Sequence, residues 1–577
     1  MLTPLSRHPW AAGRADRARD PRAVRRLRCR SPGASASAVL LMAVCSLSGC
    51  HRHQAPDSVE ARPIASAPRE LRRGNGPEPD SLDPQKAITQ EGQTILRDLF
   101  ECLTALDHEG RPAPGGAESW VVSPDGLTYT FTLRATARWS TGDRVIGADF
   151  VAGLRRLVDP AIASGNGTLI DVVQHAREIL KGSLPPDRLG VEAPDDSTVV
   201  VRLEHPAPYL PSLLSHPSTC PVHRATLPPN GTDLGRPGAL ASNGAFVLSE
   251  WVPGQYISAH RNRFYWNDQK TYWDRVTYLH IEDANAEFLR YRTGDLAMTA
   301  TIPRSQFADI RKNLASELHI TPALAIYYYG FNFDRPPFRD NPKLRQAMNL
   351  VVNRERLAQN ILRAGERPAY GWVPGGIDHY TPQSPTYASL PMETRIQMAQ
   401  QLIREAGYSA THPLRFELRY NAGETHSMIA IAIAQMWKEA LGADVQIIAE
   451  DFRTLLSDVG TGQVQMFRST WGADYNDALS FLQVLRSDSG INLMHYRSPA
   501  FDRLLDRAAS ESDAAERAAL LEQAESLALR DAPVVPLFYG VARHLVKPSI
   551  AGWYNNVMNV TYSKDLSSSV EHQSPGR

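Results

Sequence analysis

The sequence has no net charge: 62 Lys and Arg stand against 62 Asp and Glu in 577 residues, of which 42% are apolar. A nucleic-acid binder carries a basic surplus, and a disordered chain joins high net charge to few apolar residues, so both classes are excluded. Signatures of catalysis are missing as well. There is no G-x-S-x-G elbow, no H-E-x-x-H zinc helix, no G-x-x-x-x-G-K-[ST] phosphate loop and no G-x-G-x-x-G fingerprint. That lowers the expectation of an enzyme without excluding one assembled from distant residues. No apolar stretch stands out as a bilayer span: AVLLMAV, Ala38 to Val44, is far too short to cross as a mature helix. Proline, at 42 residues, is scattered and points to many turns rather than to low complexity. What remains is enough chain for about three to five domains with substantial cores.

The neutrality conceals an asymmetry. Residues 1–49 hold nine Arg and only Asp16 and Asp20, which leaves 53 basic against 60 acidic residues and a formal charge of −7 for the rest. A basic stretch around Arg22, Arg25, Arg26, Arg28 and Arg30 followed by AVLLMAV is the order of a secretory signal. Leu47-Ser48-Gly49-Cys50 then resembles the bacterial lipobox, in which Cys50 becomes the lipidated first residue. His51 stands where retention at the inner membrane would usually need Asp, which favours the outer membrane. Of the five cysteines, Cys102 and Cys220 are left as a pair in an oxidising compartment, either joined or as two separate buried thiols.

Beyond a Pro-, Ala- and Ser-rich tether the chain alternates strand and helix patterns without an internal repeat. Thr128 to Arg134 alternates polar and apolar residues with period two, a half-buried strand. Met392 to Ala406 has helical spacing and stops at Gly407, and Ser427 to Leu441 runs into Gly442 and the strand Asp444 to Ala449. Pro499 to Arg507 and Ala514 to Leu529 are expected as amphipathic helices before the strand Val534 to Tyr539. Helix followed tightly by strand is the habit of an α/β domain.

The segments GNGPEPDSLDPQKA (Gly74 to Ala87), RDLFECL (Arg97 to Leu103), Asp125 to Val151, NGAFVLSEW (Asn243 to Trp251) and WGADYNDALSFL (Trp471 to Leu482) resemble the periplasmic oligopeptide-binding proteins, solute-binding family 5 of ABC peptide importers. The likeness runs from about Leu71 to Trp553. It implies a two-lobed α/β periplasmic binding protein fold of type II, the large three-domain variant, with a hinged ligand cleft. Residues 1–49 would be the signal peptide and 50–69 the tether. Domain I would comprise 70–100, 224–324 and 541–577, domain II 101–223 and domain III 325–540. By the same resemblance Asp474 takes the ligand's amino terminus, Trp471 shapes a side-chain pocket, and Arg468 lies in the cleft near Asp474 or a ligand carboxylate. His426 approaches the carboxylate end, and Tyr328 lines the cleft at the lobe crossing, with Asn332 and Arg335 just beyond.

Several positions depart from the family pattern. Ile88, with Gln90 and Glu91 nearby, stands where an assisting acid is common, and Asn166 replaces a cleft Tyr. Leu362 and Val459 replace two cationic carboxylate anchors, Arg363 sits beside the first as a substitute, and Phe452 replaces a cleft Trp. The amine clamp is thus expected to persist while the carboxylate end is rebuilt, as for a short or modified peptide such as a cell-wall fragment. The expectation is a lipid-anchored, periplasm-facing monomer that passes a peptide to an ABC permease and its separate ATPase, with no cofactor, no metal and no nucleic acid. Only the lipid would touch the membrane. The rival reading keeps the fold and drops the permease: a peptide sensor or chaperone-like lipoprotein.

Overall fold

The computed structural model describes residues 68–227 and 235–569. The expected signal, Cys50 and the tether up to residue 67 lie outside the described residues. The first strand, Glu70–Gly74, pairs in parallel with Arg275–Leu279, and Tyr256–Arg261 and Phe246–Val252 complete a four-stranded sheet by antiparallel pairing. A separate antiparallel sheet orders Ala117–Val122, Thr128–Leu133, Thr198–Arg202 and Val191–Asp195. One apolar core joins these two sheets.

The second lobe is built on six strands in the order Arg367–Pro368, Val534–Leu545, Leu318–Phe331, Met466–Gly472, Arg415–Asn421 and Asp444–Glu450. Its long strand Leu318–Phe331 is apolar and buried on both faces over its second half. Ile326 and Tyr328 point into one core, with Trp372 and Phe481. Tyr327, Tyr329 and Phe331 point into the other, with Trp437 and Phe416. A strand covered on both faces has no polar side to alternate with.

The expected helices are present, the first one residue shorter and the other three slightly longer than expected: Met392–Glu405, Glu424–Leu441, Pro499–Ser510 and Ala514–Asp531. Gly442 ends the second of these at φ 70, the left-handed cap its position requires. The expected strand Val534 to Tyr539 continues to Leu545, and that extension matters. Leu318–Phe331 and Val534–Leu545 run antiparallel from Leu318↔Leu545 to Gly330↔Val534, with their register broken between Pro322 and Ile326. Thr299 and Met298 tie the Leu545 end to the first sheet, so this ribbon is the crossing between lobes.

Cys102 and Cys220 are joined as a disulfide across a sequence separation of 118, which settles the open pairing. Among the described residues no helix is long and apolar enough to cross a membrane.

Candidate functional site

The strand Met466–Gly472 is paired along its whole length on one side, from Phe331↔Met466 to Ala325↔Gly472. On its other side the parallel neighbour Arg415–Asn421 pairs only at Leu418↔Met466 and Arg419↔Phe467. From Arg468 to Gly472 the outer edge therefore pairs with no strand among the described residues. Such an edge presents main-chain donors and acceptors to whatever is extended enough to use them.

Past Gly472 the chain turns into the crossing. Ala473 N donates to Leu324 O at 2.8 Å, and Asp474 N donates to Ser480 Oγ at 3.1 Å. The Trp471 indole Nε1 donates to Ser480 O at 2.7 Å, so one residue, Ser480, braces the strand and its exit together. Asp474 thereby stands on the wall of a cleft of about 650 Å³ between the lobes. The opposite wall is formed by Gly74 to Pro77, Ile88 and the helix Gln90–Leu99, and the floor by the crossing strands with Trp553 and Val557 to Thr561. The Asp474 side chain is open to the cleft's water, yet the walls crowd it, and this desolvation pushes its carboxyl up to about 6. No cation and no hydrogen-bond donor meets that carboxylate among the described residues.

A second group lies farther back on the same strand. Arg468 donates from Nη1 to Asn421 Oδ1 at 2.9 Å and lies 4.5 Å above the Tyr327 ring. The Tyr327 hydroxyl is 3.1 Å from His426 Nδ1. Desolvation, and then the Arg468 charge, push the His426 imidazole down to about 4. His426 is neutral at neutral pH, and Arg468 carries the positive charge of this group.

Other expected positions fall elsewhere. Tyr328 is 2% exposed and packs edge-on against Trp372, so its ring belongs to the core; its neighbour Tyr327, on the other face, joins Arg468. Asn332 is a buried turn lock, donating to Gly462 O and Val464 O and accepting from Asp334 N. Arg335 donates to Gly462 O and lines a separate concavity of about 630 Å³ with Arg415 and Arg419. Arg363, at φ 55, is exposed and donates to Asn360 O, ending its own helix. Phe452 is 62% exposed and does not line the cleft. Of the departures, Ile88, Gln90 and Glu91 line the cleft, Ile88 with 57% exposure. Asn166 instead clamps Ala87 O and Ser218 Oγ, and Leu362 and Val459 are core residues.

Three cleft residues carried no readable signal of function. Arg97 donates to Ser215 O at 3.2 Å within the quoted run RDLFECL. His544 sits between Thr299 O and Asn559 Oδ1 at 2.9 and 2.8 Å, and Trp553 lies 5.3 Å from its ring. Among the described residues one group could gather around a cation, His175, Glu178 and Glu204, and none of the three lines the cleft.

Residues 111–492 match the model of the bacterial extracellular solute-binding proteins, family 5 (middle). The chain is 38% identical over 500 residues to the periplasmic oligopeptide-binding protein OppA of Escherichia coli (strain K12), covering 86% of this chain and 92% of that one. It is 37% identical over 504 residues to the probable deoxycholate-binding periplasmic protein YgiS of the same organism, covering 87% and 94%. The solved structure of the Escherichia coli murein tripeptide binding protein MppA superposes with a TM-score of 0.77 at 33% identity, covering 87% of this chain and 98% of that one.

Proposed function

The chain belongs to the bacterial extracellular solute-binding proteins of family 5, and from that premise we propose that it captures a peptide by its free amino terminus in the interlobe cleft. One observation carries the reading: a carboxylate without a cation, Asp474, crowded by the cleft walls at the end of a strand whose outer edge is free. A desolvated lone carboxylate is costly, and a ligand ammonium supplies the missing charge. The peptide's main chain then adds to the edge of Arg468 to Gly472, while its side chains enter wet space that water adapts to each residue. Members of this family bind solutes and are not enzymes, so no bond is made or broken.

Arg468 is the cation for the ligand's other end, with His426 as a neutral hydrogen-bonding partner. With Leu362 and Val459 in the core, no cation comes from those two positions, which favours a short or modified peptide such as a cell-wall fragment. The domains are proposed as 70–100, 224–324 and 541–577 for the first, 101–223 for the second and 325–540 for the third. Cys50 is proposed as the lipid anchor of a periplasmic monomer that delivers its ligand to an ABC permease driven by a separate ATPase. His51 supports the second reading, a permease-independent sensor or chaperone-like lipoprotein at the outer membrane. Deletion of a neighbouring permease gene separates the two, since peptide uptake falls only under the first.

Isothermal titration with a tripeptide and its N-acetylated form tests the amine reading. The free amine should bind far more tightly, and Asp474→Ala should abolish that preference. Equal affinity of the unaltered protein for both forms, or tighter binding of deoxycholate than of any peptide, would sink it.

A further inference from the structure

Tyr475 and Asn476, the two residues after Asp474, belong by sequence to the second lobe but are held in the first. Tyr475 is buried within the first lobe's core and stacks on Tyr209, with ring centroids 4.9 Å apart and planes within 14°. Asn476 N donates to Ser212 Oγ at 3.2 Å and Asn476 Nδ2 to Gly110 O at 3.1 Å. Asp477 accepts two bonds from Arg517, at 2.8 and 3.0 Å, and that guanidinium lies 5.6 Å above the Tyr209 ring. Two consecutive residues, Tyr475 and Asn476, thus plug a second-lobe loop into the 101–223 segment immediately beside the cleft carboxylate, and Asp477 ties that loop back to Arg517 of its own lobe. Arg468 lies six positions back, on the strand Met466–Gly472 and before the turn at Ala473. Every partner described for Arg468 and His426 lies within the second lobe.

Closure of two lobes is a rotation, and a rotation leaves points on its axis in place while moving others in proportion to their distance from it. Two anchored points define that axis here. One is the crossing ribbon where its register breaks, at Leu324, whose N–H donates to Val557 O at 2.8 Å. The other is Tyr475 in its seat against Tyr209. Resting on the functional reading above, we propose that Tyr475 is the pivot of the cleft: it holds Asp474 stationary against the 101–223 segment while the Arg468 and His426 end swings. The amine site is then complete before closure and receives the ligand first. The far end is assembled only when the lobes meet, so closure reads the ligand's length and terminus after its amine is already held. Tyr475 acts as a positioning residue and touches no ligand.

The test is double electron–electron resonance on the full mature chain with label pairs at Val121 and Ala519, and at Val121 and Ile431. Val121 lies on the 101–223 segment, Ala519 is two residues beyond Arg517, and Ile431 is on the helix Glu424–Leu441; all three are exposed. A saturating tripeptide should leave the first distance unchanged and shorten the second. Tyr475→Ala should broaden the first distance and lower the free-amine over N-acetyl preference about tenfold, and Tyr475→Phe, which keeps the ring, should restore both. The pivot is overturned if both distances shift together on closure, or if Tyr475→Ala leaves the first as narrow as before. Failure of the peptide reading looks different. The second distance then ignores every peptide offered, while the ligand-free width of the first distance in Tyr475→Ala still decides the pivot.

Discussion

Arg468 and Asp474 share one strand and its exit, and they do not pair. Arg468 is held by Asn421 and lies over Tyr327, while the Asp474 carboxylate faces the cleft without a cation. An arginine and an aspartate so close in sequence invite the reading of a local ion pair, but the strand carries one inward and the turn at Ala473 carries the other out to the crossing. Sites with no shared partner have effects that add within about 0.5 kcal/mol. Asp474→Ala is therefore expected to remove the preference for a free amine, Arg468→Ala to weaken free and acetylated peptides alike, and the double variant to lose the sum. Calorimetry on the four proteins checks this, and a coupling well above about 1 kcal/mol would mean that the two charges meet in the closed form.

The pH dependence follows from the cause of the Asp474 shift. Crowding raises its carboxyl from 3.8 to about 6. Proton binding thus favours the fold: this contribution is fully present below 3.8 and is lost as pH rises through about 6. Ligand binding runs the other way, because an ammonium needs the carboxylate. Affinity for a free-amine peptide should be flat from pH 6 up to the amine's own deprotonation at about pH 8 and fall about tenfold per pH unit below 6, with proton uptake on release. In Asp474→Asn the profile should lose that limb, and ligand-free Asp474→Asn should be more stable than the parent at pH 8. Titrations in buffers of different ionisation enthalpy measure both.

Much of the scaffold was legible in the sequence, because helix caps and strand alternation are local. Gly442 and the pattern of Asp444–Glu450 need only their own neighbours to be read. The placement of Tyr328 was not, since in Tyr327-Tyr328-Tyr329 every residue is aromatic and parity alone cannot say which face meets a cleft. Asn332 failed for a different reason: an Asn after a buried strand looks the same whether its amide meets ligand or, as here, the Gly462 and Val464 carbonyls. Leu362 and Val459, read by resemblance as replacements of two cations, are both buried. The seat of Tyr475 against Tyr209 spans 266 positions, and nothing in either neighbourhood announces the other.

The Cys102–Cys220 bond closes a loop that contains the whole antiparallel sheet from Ala117–Val122 to Thr198–Arg202. In a chain-entropy account a loop of about 100 residues is worth about 4.7 kcal/mol, and native disulfides typically contribute about 2–5 kcal/mol. The double variant Cys102→Ser, Cys220→Ser should lose stability within that range in guanidinium denaturation. Reductant should shift the parent's midpoint to that of the variant and leave the variant unmoved. An unchanged parent midpoint under reductant would show the bond to be energetically idle.

Gly74 tests how tightly the cleft wall opposite Asp474 is built. A Cβ at that position would stand 1.7 Å from Glu287 Oε1 and 3.2 Å from Ala300 N. Glu287 cannot simply swing away, because its buried carboxyl accepts from Ala300 N at 2.7 Å and Thr301 N at 3.3 Å, and those residues line the cleft beside Gly74. Gly74→Ala must therefore displace the carboxyl, free two main-chain donors, or push the strand Glu70–Gly74 out of register with Arg275–Leu279. Overpacking of this kind costs about 1–3 kcal/mol, and here it should also weaken ligand binding, because the wall moves with it. Shortening the acid by Glu287→Asp in the same chain makes room for the Cβ, so the pair should recover part of the stability and of the affinity. A Gly74→Ala protein with unaltered unfolding and unaltered affinity would mean that the Glu287 carboxyl does not hold this wall.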